Sequence, residues 1–204
     1  MPNMLKIFTV LKSGGDFSSE HVYRMKEMCD EHIVNTEFQF YCLSDISLDC
    51  RTIKLKHAWK AWWSKIELFS HAGPGLYFDL DTIIVNNIDN ILTAIRSVSF
   101  CGLRDQWHPN TIGSGIMYWV SDMKFIYDKF VKSPDEYIKK YRGDQDYINA
   151  CVGDKQYIQD HCTDEIVSFK ANLDSGKGFD QAKHKIVYFH GPPRPWEQDI
   201  IKYR

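Results

Sequence analysis

The stretch Gly75-Leu-Tyr-Phe-Asp-Leu-Asp-Thr-Ile-Ile-Val85 is an apolar run that breaks for two aspartates one residue apart and then resumes. It reads as a buried strand delivering two carboxylates to its carboxyl end. In an extended backbone successive side chains alternate faces, so Asp79 and Asp81 point the same way while Leu80 points into the core. Two hard oxygen ligands on one edge suit a divalent cation, Mn²⁺ or Mg²⁺, whose other positions are filled by water and phosphate oxygens. The spacing by itself carries little weight. With 19 aspartates in 204 residues, chance predicts about two Asp-x-Asp pairs, and two are present, Asp79/Asp81 and Asp144/Asp146.

The surroundings supply the missing information. A chain of 204 residues that is 44% hydrophobic and 14% aromatic can bury a substantial core as one domain, expected to span residues 1–204. A net charge of −2 and no block of like charges disfavour nucleic acid or an anionic membrane as partner. The six cysteines form no Cys-x-x-Cys pair and read as reduced packing residues. No signal-peptide core opens the chain and no apolar run approaches a membrane span, so a cytoplasmic protein without a transmembrane segment is expected.

Working outward, Leu5 to Leu11 is a first strand that stops at Lys-Ser-Gly-Gly-Asp16. Ser18 or Ser19 can cap a helix carrying Val22, Met25, Met28, Cys29, His32 and Ile33 at helical spacing. Glu37 to Leu43 is a second strand, and this strand, helix, strand opening predicts a parallel sheet with right-handed crossovers. A short strand near Thr52 to Leu55 precedes a helix whose Trp59, Trp62, Trp63, Ile66 and Phe69 share one face, which predicts core packing. Lys65 lies at the edge of that stripe, within reach of the aspartate edge.

After the aspartates a short helix, Ile88 to Ile95, and a strand, Val98 to Leu103, lead into the polar loop Arg104-Asp-Gln-Trp-His-Pro-Asn110. Gly113-Ser-Gly-Ile-Met-Tyr-Trp119 places two glycines where backbone must come close to something, ahead of an apolar strand. Asp122 can cap a helix that Pro134 interrupts, and Asp144 can cap another that opens from Gly143-Asp-Gln-Asp146. Ile166 to Phe169 and Lys185 to Phe189 are late strands around a polar segment, Lys170 to Asp180, and the chain then turns through His190-Gly-Pro-Pro-Arg-Pro-Trp196. In an open α/β sheet the aspartate edge, the Gly143 loop and the His190 turn converge on one crevice, where ligands bind.

The ordered set Trp63-Ser-Lys65, Tyr77-Phe-Asp-Leu-Asp-Thr82, Gly113-Ser-Gly-Ile116, Gly143-Asp-Gln145 and His190-Gly-Pro-Pro-Arg-Pro-Trp196 resembles the glycogenin and galactosyltransferase group, glycosyltransferase family 8 and its relatives. The resemblance implies a GT-A fold, a single Rossmann-like mixed α/β sheet flanked by helices. It implies Mn²⁺ (or Mg²⁺) and a nucleotide-diphosphate sugar, commonly a UDP-sugar, transferred with retention to an acceptor hydroxyl on a glycan, protein or small molecule. By position, Asp79, Asp81 and His190 are the implied metal ligands, and Lys65, Leu80, Ser114, Gly191 and Arg194 the implied nucleotide-sugar contacts. Thr9, Val10 and Leu11 would flank the base, Asp105 would meet the sugar, and Asp144 and Gln145 would be catalytic.

Two departures from the family pattern stand out. Its last metal ligand is a histidine three residues before the glycine, whereas Tyr188 holds that slot here and His190 directly precedes Gly191. Positions 188 and 190 share a strand face, which keeps His190 in the expected metal set. The family's asparagine before Ser-Gly is Gly113 here, leaving that sugar contact missing or supplied by Asn110. Two other readings compete: a haloacid-dehalogenase-like phosphatase using the Asp79/Asp81 pair, and a non-catalytic nucleotide-sugar-binding module. The phosphatase motif needs a glycine between the second aspartate and Thr82, and none is present.

Overall fold

β1 (Leu5–Leu11) sends Ile7 and Phe8 to opposite faces of the sheet, and that alternation divides the core in two. On the Ile7 side lies α1 (Ser19–His32), which buries Val22, Met25, Met28 and Cys29 on one stripe. The Ser18 hydroxyl and the His21 ring close the start of that helix in a capping box. β2 (Phe38–Ser44) and β3 (Thr52–Lys54) follow, both parallel to their neighbours. On the Phe8 side lies a 3₁₀ helix, Ala61–Ser70. The computed structural model describes residues 4–198. Residues 1–3, on which the expected absence of a signal-peptide core bears, and residues 199–204 lie outside it.

β4 (Gly75–Phe78) is parallel to β1, and β5 (Thr82–Ile84) follows at once. The remaining elements are α2 (Asp89–Ile95), β6 (Phe100–Arg104), β7 (Ile112–Trp119), α3 (Lys124–Phe130), α4 (Pro134–Lys140) and α5 (Asp144–Cys151). A 3₁₀ turn (Ile158–Asp160), β8 (Ile166–Ser168), a π-helical segment (Phe169–Lys177), β9 (Ile186–Tyr188) and a last 3₁₀ turn (Pro195–Glu197) complete the order. The main sheet runs β3-β2-β1-β4-β7-β6, with β7 antiparallel to both β4 and β6. A mixed sheet flanked by helices is therefore the architecture, as expected. A small second sheet, β5-β9-β8, stands beside it.

That second sheet corrects the reading of residues 75–85 as one strand. β4 stops at Phe78; the Asp79 N–H donates to the Gly115 carbonyl at 2.8 Å, and the Thr82 N–H turns back to the Asp79 carbonyl at 3.0 Å. The chain thus leaves one sheet and enters the other across Asp79-Leu80-Asp81. Leu80 goes into the core, as its alternation predicts.

Three further expectations shift. Asp144 does not cap α5: it occupies the first turn and sends its carboxylate elsewhere. The polar segment after β8 is helical because the Ser168 hydroxyl accepts from the Ala171 N–H and the Asn172 side chain accepts from the Ser168 N–H. The 61–70 segment winds at three residues per turn, so Trp63, Ile66 and Phe69 eclipse into the core, and Trp62 sits 54% exposed off that stripe. All six cysteines are free, and among the described residues no helix is long and apolar enough to cross a membrane.

Candidate functional site

A cleft of about 690 Å³ opens at the carboxyl ends of β1 and β4. It forms there because β4 breaks at the aspartates and β7 carries a bulge opposite Gly102/Leu103 that leaves Ser114 and Gly115 outside both ladders. Gly115 sits where a Cβ would lie 3.4 Å from Asp79 Oδ2, which is the close backbone approach its sequence context predicts.

At the floor is a buried ion cluster. The Lys65 ammonium lies 3.0 Å from Asp79 Oδ1, 3.0 Å from Asp144 Oδ2 and 3.2 Å from the Ser114 hydroxyl. Ser114 donates in turn to Asp144 Oδ2 at 2.7 Å, and the Tyr77 hydroxyl donates to Asp79 Oδ1. The 3₁₀ winding explains Lys65: it shares a face with Trp62, one step round from the core stripe, and that face lines the cleft. Burial alone would lower the lysine's pKa, but the carboxylates of Asp144 and Asp79 outweigh it and hold the ammonium charged. Burial likewise raises the Tyr77 phenol, reinforced by Asp79, so Tyr77 stays a proton donor.

Asp81 is the second carboxylate of the edge and is 4% exposed. Burial first, and the neighbouring Asp79 charge second, push its pKa up to about 7, while Arg194 opposes the shift. Arg194 donates to Asp81 Oδ2 at 2.5 Å and to Asp16 Oδ2 at 2.8 Å, and its guanidinium lies 4.9 Å from the centre of the Phe17 ring. It reaches the site from the turn after β9, which contains the cis Pro192-Pro193 bond.

The far end of the cleft is held by a different chain of contacts. Gln145 donates to Asp105 Oδ2 at 2.8 Å and accepts from the Ser114 N–H at 3.3 Å. Burial raises the Asp105 carboxyl, but hydrogen bonds from His108, Gln145 and Trp107 win and its pKa is lowered.

Of the residues singled out by sequence, Val10, Lys65, Asp79, Asp81, Asp105, Ser114, Asp144, Gln145, His190, Gly191 and Arg194 all line this one cleft. Thr9, Leu11 and Leu80 are buried behind it, and Asn110 is exposed outside it, with its carbonyl accepting from Lys155. At Gly113, a Cβ would meet Leu103 at 3.3 Å and approach the Gln145 carbonyl at 3.9 Å. Gln145 is thus the side chain that occupies the ground next to that glycine.

His190, expected in the metal set, lines the cleft from the turn after β9. Its ring Nε2 bonds the Ser168 hydroxyl at 2.8 Å, and its carbonyl accepts from Lys170. Burial, then the Lys170 charge, lowers its pKa, so it is a neutral ring at pH 7. Among the described residues no three histidines, cysteines, aspartates or glutamates gather as a metal cage. Tyr188, the family's histidine slot, accepts from Gln106 at 2.9 Å.

The two carboxylates still fit a divalent cation. Mg²⁺-type sites commonly use one or two carboxylates and take the rest of their shell from water and substrate phosphate. Asp79 and Asp81 are hard oxygen donors that line the same cleft, Asp81 buried and Asp79 half-buried, and burial first, then the Asp79 charge, raises the pKa of Asp81.

Tyr77, Asp16, Phe17, Trp62, Gln106, Trp107 and Arg142, none of them among the expected site residues, also line the cleft. The lone signal for Tyr77 was its period-two spacing from Asp79 and Asp81. Trp62 was recoverable only from a three-residue period.

By sequence, no protein-family model and no curated protein matches the chain. By structure it is similar to glycosyltransferases. The glycosyltransferase GlyE of Streptococcus pneumoniae TIGR4 superposes with a TM-score of 0.66 at 13% identity over 96% of this chain, which spans 56% of GlyE. The galactosyltransferase LgtC, solved with donor and acceptor sugar analogs, superposes with a TM-score of 0.65 at 13% identity, covering 95% of this chain and 90% of LgtC. The bifunctional glycosyltransferase WbbM gives 0.60 at 10% identity, with 98% and 52% covered. The fold is GT-A.

Proposed function

We propose that the protein is a glycosyltransferase of the family 8-like group that moves a sugar from a nucleotide-diphosphate donor, a UDP-sugar, to an acceptor hydroxyl with retention of configuration. The observation that carries this reading is the single cleft that gathers Lys65, Asp79, Asp81, Asp144, Gln145 and Arg194 at the carboxyl edge of a GT-A sheet. Mn²⁺ or Mg²⁺ held by Asp79 and Asp81 would supply positive charge to the diphosphate as the anomeric bond breaks.

The chain's own groups do the rest. Arg194, which donates to Asp81 and Asp16, is the cation that meets the diphosphate. Lys65, locked between Asp79 and Asp144, sets the positions of both carboxylates and contributes a fixed charge in a water-poor floor. Gln145 and Asp144 border the transferred sugar, Gln145 held in one orientation by Asp105 and the Ser114 N–H. Val10, next to Lys12 on the cleft wall, marks the base end. Six free cysteines suit a reducing compartment, and we place the protein in the cytoplasm.

The phosphatase alternative needs the first aspartate free as a nucleophile, and Asp79 instead accepts from both Lys65 and Tyr77. The direct test is a panel of UDP-, GDP- and dTDP-sugars incubated with the protein and Mn²⁺, with release of the nucleoside diphosphate followed by chromatography. Slow donor hydrolysis by wild type, lost in Asp81→Asn, is the expected result. Hydrolysis of a phosphomonoester with no turnover of any nucleotide sugar would overturn the assignment.

A further inference from the structure

Next to the cleft lies a second cavity of about 400 Å³ whose wall shares Arg104 and Gln106 with the first. Its other walls come from the 3₁₀ turn at Ile158–Asp160, the segments on either side of β8, and the residues ahead of β9. Its hydrogen-bonding inventory is lopsided. Gln159 spends its carbonyl on the Arg104 N–H at 2.8 Å, and its Nε2 is buried with no partner. Asn172 spends its carbonyl on the Ser168 N–H, and among the described residues its Nδ2 has no acceptor.

His184 Nδ1 accepts from the Asp180 N–H at 3.0 Å, which places the neutral ring's proton on Nε2. Among the described residues Lys183 pairs with Asp164, at 2.7 Å, and Lys177 has no carboxylate partner. Arg104 is pinned by Asp160, the Pro109 carbonyl and the Tyr157 ring. Two amide NH₂ groups, an imidazole N–H and two ammonium groups thus border one cavity, against the single carboxylate of Asp164. A buried amide donor left unmade is costly, so such a wall selects a ligand rich in acceptors.

We propose that this cavity binds an oxyanion, a carboxylate or a phosphate, carried by the acceptor substrate. Attribution to an acceptor rests on the glycosyl-transfer reading, because the shared Arg104 and Gln106 wall puts the group one step from the transferred sugar. Oxyanion binding itself does not rest on that reading.

The test titrates glucuronate, glucose 6-phosphate and neutral glucose into the protein while recording the side-chain amide resonances of Gln159 and Asn172. Both amide pairs should move with at least one anionic probe and not with glucose, and the stronger of the two anions identifies the oxyanion. The double variant Lys177→Ala/Lys183→Ala, at two exposed positions, should weaken that binding about tenfold, as expected for losing charge-assisted hydrogen bonds. Anions that leave Gln159 and Asn172 unmoved, or that bind the double variant as tightly as wild type, would overturn the proposal. Binding at Gln159 in a protein that turns over no nucleotide sugar would keep the oxyanion site and overturn its attribution to an acceptor.

Discussion

Replacing Lys65 with methionine nearly keeps the volume of the side chain and removes its charge together with the N–H donors that meet Asp79 and Ser114. The ammonium sits 3.0 Å from a carboxylate on either side, and its side chain is 7% exposed. At an effective dielectric of about 20, each contact at that distance amounts to about 5.5 kcal/mol of Coulomb attraction. Most of this is offset by the desolvation of the three groups and by repulsion between the carboxylates, and losing one member of such a buried set costs about 3–5 kcal/mol. Against a total stability of about 5–15 kcal/mol, Lys65→Met should therefore lower the urea midpoint severely with an unchanged m-value.

The origin of the loss is testable in the same assay. It comes from stranding Asp79 and Asp144, so adding Asp79→Asn and Asp144→Asn to Lys65→Met should recover part of the midpoint. A Lys65→Met protein within about 1 kcal/mol of wild type would refute the reasoning, since that is the range of an exposed pair. A triple variant weaker than the single one would also refute it.

Gly75→Ala would place a Cβ 2.3 Å from the Trp119 ring, which is 1% exposed and stacked on Phe8, so a loss of about 1–3 kcal/mol in chemical denaturation is expected. Trp63→Ala should cost about 3–5 kcal/mol, whereas its neighbour Trp62→Ala should stay within about 1 kcal/mol; equal losses would contradict the 3₁₀ winding. Asp89 is pushed up by burial, but hydrogen bonds from Asn87, Val34, Asn35 and Thr36 outweigh this and lower its pKa. Its contribution is present above the unfolded carboxyl value of about 3.9 and is lost as pH falls through the lower folded value. Asp89→Asn should therefore be about 1.5–3 kcal/mol less stable than wild type at pH 7, and the difference should shrink in denaturation at pH 3.

Much of the fold was legible because local pattern and tertiary demand agree. β1 begins and ends where its apolar run does, and α1 starts just after Ser18, whose N–H donates to the His21 ring and whose carbonyl accepts the His21 N–H. Where they disagree, the sequence misled. The aspartate stretch alternates like one strand, yet the Thr82 N–H turns back to the Asp79 carbonyl, and the chain leaves one sheet for the other there.

The candidate site was legible as a set of motifs, but its partnerships were not. Nothing in the spacing tells that Asp144 turns from its helix end to Lys65, because that depends on a bulge in β7 that aims Ser114 at both. The histidine turn shows the same limit. His190 sits past the last residue of β9, so its strand phase with Tyr188 no longer fixes its direction, and the ring settles on Ser168.

The most direct test of the central claim is a thermal-shift titration of UDP with Mn²⁺ or with a chelator, on wild type and on Asp81→Asn. A ligand at about 100 times its dissociation constant that binds only the folded state stabilises by about 2.7 kcal/mol, or about 5–10 °C for a chain of this size. The account predicts that shift for wild type with Mn²⁺, and its loss both with chelator and in Asp81→Asn. An equal shift in all three conditions would place UDP away from the Asp79/Asp81 edge, and no shift with any nucleoside diphosphate would contradict the account.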